Sequence, residues 1–67
     1  MHERTYRKVT RLETEYFRLL VGQYPELHGT YDALPNQDDR GGQTYTVHLS
    51  GQRTDKLMQK VLDAANG

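Results

Sequence analysis

The chain has no cysteine, which removes two common ways of holding a small protein together: no disulfide can form, and no thiolate metal site can be built. It is also short of aliphatic side chains. Apolar residues make up 34% of its 67 positions, and five of these are tyrosines. A domain of about 60 residues buries only ~60% of the surface its unfolded chain exposes, so stability is marginal and a deep enclosed pocket is hard to build. Self-association is the remaining common source of buried area, and a homodimer is expected. No apolar run approaches the ~20 residues of a membrane span. Met1 is followed by charged residues, not by the apolar stretch of a signal peptide. The expectation is one domain over residues 1–67, in the cytoplasm and away from membranes.

Net charge is absent too: nine basic side chains balance nine acidic ones. A neutral total argues against a general nucleic-acid coat and against an acidic nucleic-acid mimic. The charge is unevenly placed, however. Residues 1–22 carry +2, residues 23–42 carry −3 and residues 43–67 carry +1.

What is present begins with the first third. At 100° per residue, Arg4 to Val21 reads as one amphipathic helix. Tyr6, Val9, Leu12, Tyr16, Phe17, Leu19 and Leu20 share a broad face, while Arg4, Arg7, Lys8, Arg11 and Arg18 lie opposite, interrupted by Glu15. Thr5 is the candidate cap for a late start. Gly22, in a left-handed conformation, and Pro25 would end the helix. Residues 28–34 suit a short strand. Residues 35–42 read as a loop, with Pro35 at the second position of a type I turn and Gly41–Gly42 as a hinge. Tyr45, Val47 and Leu49 alternate with Thr44, Thr46 and His48, the period of a half-buried strand. A second helix is expected from Thr54 as N-cap, with Leu57, Met58, Val61, Leu62 and Ala65 on its inner face. The predicted fold is α+β: helix, β-hairpin, helix, with both helices on one face of a short antiparallel sheet.

Little in this pattern is chemical. His48, Ser50 and Asp55 are the only residues resembling a nucleophile with a base, and no nucleophile elbow or oxyanion loop accompanies them. No catalytic residue is assigned and an enzyme is not expected. His2, His28 and His48 lack partners at metal-ligand spacing, and Asp38–Asp39 fits no EF-hand pattern, so neither metal nor cofactor is expected. Gly41–Gly42 leads into a strand and not into a helix, unlike a phosphate-binding loop.

The helix–strand–strand–helix order, with Lys56 and Lys60 on the last helix, is similar in outline to a double-stranded RNA-binding domain. That family has three strands and a lysine cluster opening its last helix. Here two strands and two lysines are found, so the resemblance covers topology alone.

The basic residues carry the functional expectation. Arg4, Arg7, Lys8, Arg11 and Arg18 would meet carboxylates of a protein partner, which arginine pairs bidentately, or phosphates of a nucleic acid. Tyr24 and Tyr31, beside loops, are added as interface candidates, since tyrosine buries a ring while keeping its hydroxyl wet. The expected function is a small accessory regulator, adaptor or inhibitor, of the kind phages and plasmids encode. It would bind a macromolecule, with protein favoured over nucleic acid.

Overall fold

A computed structural model describes residues 2–37 and 43–66. Its elements are β1 (Glu3–Thr10), α1 (Arg11–Gly22), a single 3-10 turn (Pro25–Leu27), β2 (Tyr31–Pro35), β3 (Thr44–Ser50) and α2 (Gln52–Asn66). The strands form one antiparallel sheet in the order β1-β3-β2. Both helices lie on one face of it, as expected of the α+β class. The predicted hairpin is present as β2 and β3. The expected Asp38–Asp39 and Gly41–Gly42 features lie outside the described residues.

The largest departure is at the N-terminus. Residues 4–10, read from the sequence as helix, belong to the sheet's third strand, Glu3–Thr10. The cause is one irregularity. Tyr6 pairs with Val47 and Val9 with Tyr45, so β1 carries one extra residue between them: a β-bulge at Arg7–Lys8. The bulge puts Tyr6 and Val9 on the same side of the sheet although they are three apart. A spacing of three is what a helix gives, and the strand period of two is hidden. The bulged Arg7 carbonyl accepts a 2.8 Å hydrogen bond from Asn36 Nδ2, and Asn36 also bonds Thr44 and Thr46. One side chain thus ties all three strands together at the irregular point. The third strand precedes α1, so the chain departs from the order of the double-stranded RNA-binding family.

The helix begins where its capping chemistry is. Thr10 is the N-cap. Its hydroxyl accepts from the Glu13 N–H at 3.2 Å, and the Glu13 carboxylate accepts from the Thr10 N–H at 2.8 Å. This is the reciprocal capping box of Thr-x-x-Glu. Thr10→Ala should cost about 1 kcal/mol, measured by urea unfolding. Gly22 ends α1 without a positive φ; the Gln23 and Tyr24 N–H groups bond back to Leu20 and Val21, so no left-handed residue is needed. Pro35 closes β2 and does not enter a turn. The Asn36 N–H donates to the Thr44 carbonyl, so by strand alternation the Pro35 nitrogen faces the free edge, where no donor is missed. Gly51, with φ +103°, turns the chain from β3 into α2. Thr54 is buried and not a cap. Its hydroxyl bonds the Ser50 carbonyl and Thr30 Oγ1, fixing the first turn of α2 to the start of β2.

The core lies between sheet and helices: Val9, Val47 and Leu49 from the strands, Phe17 and Val21 from α1, Leu27 from the 3-10 turn, Met58 and Val61 from α2. Phe17 and Met58 are fully enclosed. The inner face of α1 is thus Thr14, Phe17 and Val21, not the leucine-bearing face expected from the sequence. Once the helix starts at Arg11, the short Thr14 side chain lets α1 sit close to the sheet, its hydroxyl bonded to the Thr10 carbonyl at 2.8 Å. Leu12 and Leu19 then point outward.

Candidate interaction surface

The five basic residues do not share one face. Arg4 is on the helix-covered side of β1. Its guanidinium is 3.7 Å from the buried Asp55 carboxylate and 5.4 Å from the Tyr6 ring centroid. Asp55 also accepts from the Tyr6 hydroxyl and lies 3.2 Å from His2 Nε2. Burial first, and then the Asp55 carboxylate, push the Tyr6 phenol above its ordinary pKa. This cluster joins the start of β1 to the first turn of α2. Arg7 and Lys8 are exposed at the bulge. Arg11 and Arg18 lie one above the other along one side of α1. Arg11 Nε is 3.4 Å from Glu15 Oε1, and Arg18 makes no ion pair among the described residues.

The two tyrosines are half-buried. Tyr31 stands edge-on to Phe17, with ring centroids 5.2 Å apart. The Arg53 guanidinium lies 4.5 Å from the Tyr24 ring centroid, and Arg53 Nη1 bonds Glu26 at 2.8 Å. Both rings serve the domain's own packing on one side.

His48 and Ser50 lie on the open face of the sheet, and Asp55 lies on the covered face. His48 Nδ1 is 3.1 Å from Thr5 Oγ1, and the Ser50 hydroxyl donates to the Thr30 carbonyl. The structure does not bring the three together. Among the described residues, no group of three or more potential ligands is placed to hold a metal ion. No helix among them is long and apolar enough to cross a membrane.

The surface that sequence reasoning missed is the outward side of α1. Leu12 is 78% exposed, Leu19 70% and Tyr16 53%. At 100° per residue they stand half a turn from Phe17 and Val21 and form one ridge. Beside it, Leu12, Glu13 and Tyr16 meet Val61, Ala64 and Ala65 of α2 around a groove of about 350 Å³. Arg11, Glu15 and Arg18 line the other flank of the ridge. The signal was present in the sequence: α1 carries two apolar stripes, 12/16/19 and 17/21, and a lone sheet can cover only one of them.

Comparison of the chain with protein-family models, with curated proteins and with solved structures finds no match.

Proposed function

We propose that this protein is a non-enzymatic binding protein that makes protein–protein contact through the outward side of α1, in the cytoplasm, where a chain without cysteines loses nothing to reducing conditions. The observation that carries this reading is the ridge. Three large apolar side chains in a row lie in water on a chain that can spare few of them. Contiguous exposed apolar surface rimmed by charge is typical of contact sites. Arg11 and Arg18 add the cationic rim and favour a partner with carboxylates beside an apolar patch. The same basic side chains are the reason to compare nucleic acid directly.

The test uses poly-glutamate, duplex DNA and RNA as probes at low salt, with amide chemical shifts as the readout. Poly-glutamate should shift residues 11–19 and lose its effect in Arg11→Ala/Arg18→Ala. Binding to DNA or RNA that falls steeply with salt and centres on Arg7 and Lys8 would overturn the protein reading.

A further inference from the structure

We propose that the open face of the sheet carries a second site, a shallow polar hollow that takes a linear polyamine. It lies on the opposite side of the sheet from α1 and stands independently of the contact surface there.

The strand period builds the hollow. Glu3 pairs with Ser50, and both Thr5 and Asp32 pair with His48, so these five side chains leave the sheet on the side away from the helices. Their chain neighbours Arg4, Tyr31 and Leu49 take the covered side. The five and Thr30 line a hollow of about 520 Å³, at the end of the sheet away from the bulge. Its hydroxyls are already engaged. Ser50 donates to the Thr30 carbonyl, and Thr5 Oγ1 is 3.1 Å from His48 Nδ1. Its two carboxylates are not. Neither Glu3 nor Asp32 makes an ion pair or a side-chain hydrogen bond among the described residues. In the tautomer whose Nδ1–H donates to Thr5, His48 Nε2 is a third acceptor, on the strand between them.

Charge and spacing name the ligand. Two strand spacings of about 4.8 Å separate β1 from β2, and Glu3 and Asp32 are offset by two residues of about 3.4 Å, so their Cα atoms stand about 12 Å apart. One ammonium group or one metal ion does not reach both carboxylates, whereas a chain carrying several amines does. The basic side chains nearby do not cancel this charge. Arg7 and Lys8 are four and five positions along β1 from Glu3, about 13 Å or more, beyond the ~8 Å Debye length at physiological salt. The Arg4 guanidinium faces Asp55 on the covered side. A protein partner is disfavoured because the walls are polar side chains, without the aromatic or aliphatic anchor around which a protein interface is organised. A hydrophilic chain of amines needs no such anchor: its ends meet Glu3 and Asp32, and an inner amine donates to His48.

Spermidine titrated into the full chain at physiological salt tests this, followed by amide chemical shifts. Butylamine serves as the probe with one amine, and magnesium chloride as the compact dication. Spermidine should shift residues 3–5, 30–32 and 48–50, while butylamine and magnesium at the same concentration leave them in place. Glu3→Gln and Asp32→Asn should each weaken spermidine binding about threefold to fivefold, on the scale of one exposed ion pair, and together about tenfold or more. Both side chains are exposed, so circular dichroism should show the variants folded like the parent. Spermidine shifts that centre elsewhere, or that survive the double substitution, overturn the inference. A butylamine or magnesium titration that reproduces them also overturns it, because a diffuse negative surface would then account for the binding.

Discussion

Phe17→Ala should move the urea midpoint of unfolding far below that of the parent. Phe17 is fully enclosed between α1, the sheet and Tyr31. Truncating a buried phenylalanine costs about 3–5 kcal/mol, through lost transfer energy and the cavity left behind. At 0.05–0.15 kcal/mol per residue, 67 residues give a total stability of roughly 3–10 kcal/mol. The loss therefore takes a third of the stability or all of it. Far-ultraviolet circular dichroism followed through a urea titration reads the result directly. The matching control is Leu19→Ala, two residues along the same helix. Made at a concentration low enough to exclude association, it should change stability by no more than about 0.5 kcal/mol, as surface substitutions do. The pair fixes the rotation of α1. If Leu19→Ala were the damaging change and Phe17→Ala the mild one, the helix would be turned the other way.

The second large effect is expected at Asp55. This buried carboxylate gathers His2, Arg4 and Tyr6, all from the first six residues, onto the first turn of α2. Asp55→Ala removes hydrogen bonds to a charged acceptor, among them the one from the Tyr6 hydroxyl. It also removes a negative charge from the positive end of the helix. The cost should be about 2–3 kcal/mol, or a fall of roughly 10–20 °C in Tm for a domain of this length. Tyr6 gives the cluster a pH signature. Its phenol is held above the ordinary tyrosine value in the folded state, so the folded protein binds that proton more tightly than the unfolded chain does. The associated stability is fully present below the ordinary value and is lost as pH rises through the elevated one. Thermal melts at increasing alkaline pH should show this decline, and Tyr6→Phe should flatten it.

The cluster and the bulge together explain which parts of the fold were legible in the sequence. β3 was plain because Tyr45, Val47 and Leu49 keep a strict period of two beside a buried face, and α2 because Leu57, Met58, Val61 and Leu62 keep the helical period without interruption. β1 was hidden because an extra residue between Tyr6 and Val9 replaces that period with a spacing of three, and because Arg11 to Val21 continues in true helix. One local signal did mark the boundary. Thr10 is followed three positions later by Glu13, whereas Thr5 is followed by Lys8, and only the first pair can form a reciprocal cap. The candidate surface was obscured by the same misreading. With eighteen residues assigned to one helix, the leucines of the ridge and the phenylalanine of the core merged into a single broad apolar face. Moving the helix start to Arg11 separates them into two stripes, one facing the sheet and the other facing water. It also removes Arg4 from the cationic row, which its contact with Asp55 already occupies.

The bulge has a consequence beyond register. β1 lies at the border of the sheet, and eight residues of unpaired main chain on such a border would be a template for stacking against other molecules into fibrils. The extra residue breaks the run midway and increases its local twist, and the side chains it presents there, Arg7 and Lys8, repel their own kind. Growth by strand addition is discouraged at the sheet's longest border.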